Sequence, residues 1–302
     1  MSAGADSVKS IFFALGANFL IAVAKTTGAV FTGSSSMLAE AIHSYADCAN
    51  QALLLWGMRE GQRRPNRDHP LGHGKAIYFW SFIVAIMLFS MGGLFSIYEG
   101  IHKLESTEPL LYAWVAIGIL VFGIAAESVS LWGCLREVNK DRGSQGLWHW
   151  FRNSRQSELL VVLAEDIAAL GGLVLALVFI AMTLATGNPA WDAAGSICIG
   201  VLLVVVAILV GIEVKALLIG QSVDAPILER MREHLVGREE VESVYNLLTL
   251  QMGSDVMVAV KAKMRPAASA AALIEAINRV ERSFRAAFPQ VQWLFFEPDL
   301  AD

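Results

Sequence analysis

Apolar residues in this 302-residue chain fall in long blocks, not in the short alternating runs or amphipathic stripes of a soluble domain. The blocks cover about 11–31, 35–58, 77–101, 110–135, 158–185 and 190–219. Each is long enough to cross a bilayer, which takes about 20 helical residues at a rise of ~1.5 Å each. Thr32-Gly33-Ser34 and TGNPAWD are tight turns. HKLESTEP is a short loop whose Pro109 bars helical continuation. REGQRRPNRDHPLGHGKA and REVNKDRGSQGLWHWFRNSRQS are polar segments between hairpins. The pattern predicts six spans in three hairpins.

After Gln221 the pattern changes. PILERMREHLV reads as an amphipathic helix, 241–251 and 255–264 as strands joined by Gly253-Ser254, 269–288 as a second helix and 291–296 as a last strand. The expected architecture is therefore an α-helical membrane protein. Residues 1–221 form a six-helix transmembrane bundle, and 222–302 form a cytoplasmic α+β domain of ferredoxin-like type, with order αββαβ. So small a domain is expected to depend on partner contacts.

Composition agrees: 55% of residues are hydrophobic and only 17% charged, below the quarter or so usual in soluble domains. The net charge of −5 matters less than where the charges lie. Arg59, Arg63, Arg64, Arg67 and Lys75 lie between the second and third blocks, and Arg136, Lys140, Arg142, Arg152 and Arg155 between the fourth and fifth. The turns on the other side carry Lys103 alone. The basic loops and both termini are thus expected in the cytoplasm, in a bacterial inner membrane. MSAGADSVKS is read without a cleaved signal, the first apolar block being the first span. No basic, aromatic-interleaved patch points to nucleic acid. Cys48, Cys134 and Cys198 lie apart in apolar runs and read as small packing residues.

The candidate chemistry lies in the second block, SSSMLAEAIHSYADCANQALLLW, which carries Glu40, His43 and Asp47. A carboxylate at the bilayer centre costs at least about 3 kcal/mol on insertion scales, so something charged must compensate it. His43 and Asp47 are four residues apart and share one helix face. With few cations nearby in sequence, a bound metal cation is the natural compensation; the plainer alternative is a hydrogen-bonded packing histidine. A zinc-like ion wants about four N, O or S ligands. Asp166 in the fifth block is a third candidate. Glu165 points about 100° away from it around the helix. Glu127 in the fourth block and Glu165 each read as a ligand, a cap on a polar pocket, a partner for Lys25, or a proton carrier. In the polar loop, Asp68, His69 and His73 form a second constellation, either a loop metal site or solvated hydrogen-bonding groups.

These stretches resemble the cation diffusion facilitators, divalent metal transporters. The resemblance rests on SSSMLAEAIHSYAD, DHPLGHGKA before the third block, the polar cluster of the fifth block, and the small αββαβ domain. AEAIHSYAD, AES in the fourth block, VLAEDIAA and TGNPAWDAAGS bring it nearest to the zinc transporter 9 branch. The resemblance implies a homodimer that expels divalent metal from the cytoplasm in exchange for protons, with two ligands from the second span and two from the fifth. His43, Asp47 and Asp166 match three of those positions; the fourth falls on Val162, so Glu127 or Glu165 is a candidate replacement. Asp68, His69 and His73 fall on or near a peripheral family site whose first acidic position is Asn66 here. Tyr245, Asn246 and Phe296 stand around the positions of metal ligands in the family's C-terminal interface, which implies apolar dimer contacts instead. A family ion pair between Lys75 and an acid at the end of the sixth span meets Gly220, so it is absent or moved to Asp224. Nitrogen and oxygen ligands suit Zn²⁺, and Fe²⁺, Mn²⁺ or Co²⁺ as alternatives. An intramembrane metal-dependent hydrolase would want HExxH or GxSxG, and neither occurs. A metal-responsive membrane protein without flux is the third reading.

Overall fold

In the computed structural model, residues 3–105 and 112–301 are described, with side chains from Asn18 onward. Pro109 lies outside them. The chain divides into two compact units. One comprises the residues up to Trp56 with Trp80–Trp148 and Glu158–Glu213; the other comprises Gly57–Phe79, His149–Ser157 and Val214–Asp302.

The first unit is helical. α1 (Ala3–Thr32) and α2 (Ser35–Gly61) form a hairpin. Gly33 turns it with φ +65°, a left-handed value that a side chain would strain. The third apolar block becomes α3 (Ala76–Met87), a π-helical segment (Leu88–Leu94) and α4 (Phe95–Leu104). α5 (Ala113–Arg142), α7 (Ser157–Thr186) and α8 (Ala190–Ile219) follow. A short α6 (Leu147–Asn153) stands inside the segment expected to be merely polar, because Leu147, Trp150 and Phe151 give LWHWFRN an apolar side. Among the described residues, four helical stretches are long and apolar enough to cross a membrane: Ala76–Leu104, Ala113–Arg142, Ser157–Thr186 and Ala190–Ile219. α2 is not among them, being diluted by serines, Glu40, His43, Asp47 and Asn50.

Small residues set the helix spacing. A Cβ built on Gly200 of α8 would lie 2.7 Å from the Gly93 carbonyl oxygen, and one on Gly100 would lie 2.7 Å from that of Ala193. Ser196 donates to the Ser96 carbonyl at 2.7 Å. Without a strong hydrophobic drive between helices in lipid, such close backbone approach is what joins α8 to the third block. Met37, Leu120, Leu173, Ile180 and Leu203 fill the core around this contact. Of the cysteines, Cys134 is buried as expected, whereas Cys198 is exposed on the outer side of α8.

In the second unit α9 (Ala225–Val236), β1 (Val241–Met252), β2 (Asp255–Met264), α10 (Ala270–Ala287) and β3 (Val291–Pro298) follow the expected order. The sheet order is β1-β2-β3, with β1–β2 antiparallel and β2–β3 parallel, the latter requiring the α10 crossover. Val256, Val258, Val260, Ala262 and Met264 alternate into a core with Met231, Leu235, Val280 and Phe284. Ser269 starts α10 by accepting from the Ala272 N–H at 3.1 Å. Gly74 lies so close to the Met252 carbonyl that a side chain there would collide with it, and Tyr78 Oη accepts from the Gly253 N–H at 3.0 Å.

Candidate functional site

The first turn of α2 is held from α8. Asp192, 1% exposed, accepts from Ser34 Oγ at 2.7 Å, from the Ser35 N–H at 2.7 Å and from Ser35 Oγ at 3.1 Å. Ser36 Oγ donates to the Asp192 carbonyl at 2.7 Å. A carboxylate at a helix N-terminus satisfies free N–H groups and complements the dipole. The sequence reading saw only a turn there, because the serines and the aspartate are 158 residues apart for the longest of these contacts.

Two turns further, α2 carries the polar residues. His43 is 0% exposed, and neither ring nitrogen has a hydrogen-bond partner. Its Nε2 lies 3.6 Å from Asp47 Oδ2, while Asp47 Oδ1 is buried and unbonded. A Cβ on Gly92, in the π-helical segment, would lie 3.8 Å from His43 Nδ1. That segment thus passes beside the imidazole, and its glycine packs most closely against Leu203; π segments recur at functional sites.

Asp47 opens onto a small cavity of about 20 Å³, room for one water or one ion. Glu127 of α5, Glu165 and Asp166 of α7, and Ser44, Gln51 and Val162 also line it. Glu165 Oε1 accepts from Asn50 Nδ2 at 2.6 Å, and Asp166 is approached by Ser130 Oγ at 3.3 and 3.4 Å. Four of the expected residues thus share one cavity, and His43 adjoins it through Asp47. Among the described residues, no three His, Cys, Asp or Glu side chains close to metal-holding distance. Asp47 and Asp166 line one space without gripping a common point.

Pairing with Lys25 is one of the roles expected of Glu127 or Glu165, and the sequence marks no partner for Glu40. In the structure Lys25 Nζ pairs with Glu40 Oε2 at 3.2 Å and donates to Ser44 Oγ at 2.7 Å. The α1–α2 hairpin brings these residues together; Glu127 and Glu165 stand on α5 and α7.

In the second unit, the His69 and His73 rings lie 4.3 Å apart between centroids, and the Asn66 side chain accepts from the His69 N–H at 2.7 Å. Asn66 thus closes the loop turn where the family position is acidic. Asp68 is exposed and does not complete a three-ligand group with the two histidines. Lys75 Nζ stands beside Gly220, and Asp224 faces Arg155 at 3.6 Å. Arg155 also donates to the Ser222 carbonyl at 2.7 Å.

Membrane-length helices around a carboxylate-lined cavity with an unbonded histidine beside it define a multi-pass membrane protein with an intramembrane polar site. The family model for the cation efflux transmembrane domain matches residues 11–219, and this chain belongs to that family, the cation diffusion facilitators, on the zinc transporter 9 branch. It is 36% identical over 74% of its length to the protein named proton-coupled zinc antiporter SLC30A9, mitochondrial, of Xenopus laevis, covering 40% of that protein. It is 31% identical over 81% of its length to the human protein of that name, covering 44% of it. It is 32% identical over 80% of its length to metal tolerance protein C4 of Arabidopsis thaliana, covering 53% of it. The chain therefore spans about half the length of these relatives or less.

Proposed function

We propose that this chain is a carrier of divalent metal, zinc foremost, exporting it from the cytoplasm in exchange for protons. The observation that carries the reading is the cavity between α2, α5 and α7, where Asp47, Glu127, Glu165 and Asp166 gather beside the unbonded imidazole of His43. Four carboxyls inside apolar helices are too costly to keep without a compensating cation. The 3.6 Å between His43 Nε2 and Asp47 Oδ2 is near the edge, about 3.3 Å, of a tetrahedron around Zn²⁺ with bonds of ~2.0–2.1 Å. Those two groups can hold one ion with little movement. Asp166 is the third ligand and reaches it by a shift of α7 towards α2. Glu127 is the better fourth ligand, since Glu165 is already tied to Asn50. The relatives' names, zinc antiporter and metal tolerance protein, support the substrate class. Iron, manganese or cobalt carriage is the second reading, favoured by an oxygen-rich site.

Ligation needs neutral imidazole and ionised carboxylates, so protons and metal compete for one set of atoms. Rocking of the helices would expose the site to either side in turn. The architecture for this is six spans, α1, α2, the third block, α5, α7 and α8, in a transmembrane domain over 1–221. A ferredoxin-like cytoplasmic domain over 222–302 joins two copies through apolar contacts. The basic loops lie on the side from which metal enters. The bacterial inner membrane expected from sequence draws no support from the relatives named above, which are eukaryotic and in the animal cases named mitochondrial. The loop residues Asp68, His69 and His73 would hold metal only weakly, with Asn66 in the acidic position.

The test is zinc flux into proteoliposomes reported by a trapped dye, with and without an imposed pH gradient. Gradient-driven flux that His43→Ala or Asp47→Ala abolishes supports the reading. Binding without flux would make this a metal-responsive protein, and wild-type flux in both variants would remove the site assignment.

A further inference from the structure

Lys25 is the one lysine or arginine among the described residues whose side chain is fully buried, and the transport reading gives it no task. Its ammonium is held between two α2 residues, Glu40 at 3.2 Å and Ser44 at 2.7 Å. Glu40 is also 0% exposed, and its Oε1 has no partner. That oxygen fits against α7 only because residue 172 is glycine; a Cβ there would collide with it. On the α5 side, a Cβ built on Gly123, one turn before Glu127, would lie 3.6 Å from Lys25 Cε. The pair is therefore seated where α1 and α2 meet α5 and α7, with Gly172 making room for Glu40 and Gly123 in ordinary contact distance of Lys25.

The spacing along α2 links this pair to the metal site. His43 is three residues beyond Glu40, and Asp47 is three beyond Ser44. Residues three apart are neighbours on a helix surface. Each anchor of Lys25 thus adjoins one candidate ligand. Ser44 itself lines the cavity. A buried ion pair is weak support for stability, since uncharged replacements of similar size are commonly tolerated once both partners go; the better-attested use of such a pair is to specify one arrangement. Resting on the transport reading, we infer that Lys25 and Glu40 are a positioning pair. By clamping one face of α2 to α1, they fix the turn that carries His43 and Asp47, and so set the affinity of the site for its ion.

The test compares wild type with the double variant Lys25→Met/Glu40→Gln in the full chain, which removes both charges together. Zinc alone is the probe, measured by equilibrium titration in detergent and by flux in proteoliposomes. The expected result is a monodisperse, folded double variant whose zinc Kd and flux KM rise about tenfold while its rate at saturating zinc stays within about twofold, the signature of lost ground-state binding. The charge-swapped variant Lys25→Glu/Glu40→Lys keeps an ion pair between α1 and α2 and is expected to recover most of the affinity. A folded double variant with wild-type Kd and KM, or a folded swap with no recovery, overturns the inference. Should the double variant not fold, Glu40→Gln decides, because it removes the charge of the pair on α2, keeps the side chain's size and leaves Ser44 in place. A Kd raised about threefold or more supports the inference, and an unchanged Kd overturns it. Zinc binding by wild type without flux would defeat the transport reading while the Kd comparison still judged the pair. Absence of zinc binding by wild type would defeat both.

Discussion

A histidine sealed among helices with both ring nitrogens unbonded is costly, by about 1–3 kcal/mol for each unsatisfied group. Its persistence at 43 fits the proposed ion, which would supply the missing bond. Two substitutions probe that ion. Glu127→Ala is expected to weaken zinc binding about tenfold, and Glu165→Ala to change it less than threefold, because Glu165 already accepts from Asn50. Titration of the purified variants with zinc checks the order; the reverse order would make Glu165 the fourth ligand. Val162 lines the same cavity as Asp166 one turn away. Val162→Asp is expected to raise zinc affinity about tenfold by supplying the position that family sites fill, and slower release should lower the saturated flux. Competition against a chelator of known affinity measures it.

Elements carry their own consequences. α2 is too polar to hold its place by apolar burial alone, so its ends matter. The Asp192 carboxylate at its first turn stands in for an N-cap, although it comes from α8. Asp192→Ala is expected to destabilise the transmembrane unit by about 1–2 kcal/mol and to lower the melting temperature by several degrees. A thermal melt in detergent checks this. Gly93, Gly100 and Gly200 hold α8 against the third block by absence of side chain, and leucine at Gly200 would have to displace the Gly93 carbonyl. These were hidden in the sequence, where a glycine in an apolar run looks like any other small residue. The π-helical segment was equally hidden. Its sequence, LFSMGGL, is apolar and helical by pattern, and no residue in it announces the shift in hydrogen bonding.

At the scale of the whole molecule, the second unit has a pH dependence separate from the transport site. Burial of His234, then the nearby Arg238, hold its imidazole below the ordinary 6.5. The ring sits edge-on to Phe284 and Phe288 at 5.9 and 5.7 Å, and Nε2 lies 3.0 Å from Ser283 Oγ. A depressed folded-state value means the unfolded chain takes the proton first. The stability from this group is fully present above pH about 6.5 and is lost as pH falls through the lower folded value. Protection factors of the β1–β3 amides in the full chain, corrected for the intrinsic pH dependence of amide exchange, should therefore fall below pH 6.5, and His234→Gln should flatten that response.

The order of elements and the candidate ligands were readable along the chain because both leave local traces. Apolar blocks report length and burial, alternation reports the strands of the small domain, and acids inside apolar blocks report something that lipid would reject. The same locality set the limits. Lys25 is visible as a cation inside an apolar block, yet its partner Glu40 is not, since a helix-to-helix contact depends on rotation and crossing angle and not on residue type. Asp192 looked like turn chemistry, and only folding brought it to the serines that open α2. Sequence alone determined that polar groups are kept inside membrane-length helices and which groups those are. Tertiary structure decided which of them meet: Asp47, Glu127, Glu165 and Asp166 around one cavity, His43 beside it, and Glu40 turned away to Lys25. The physical reason is that composition sets the cost of each buried charge, while the partner that offsets it is chosen by the packing of helices distant in the chain.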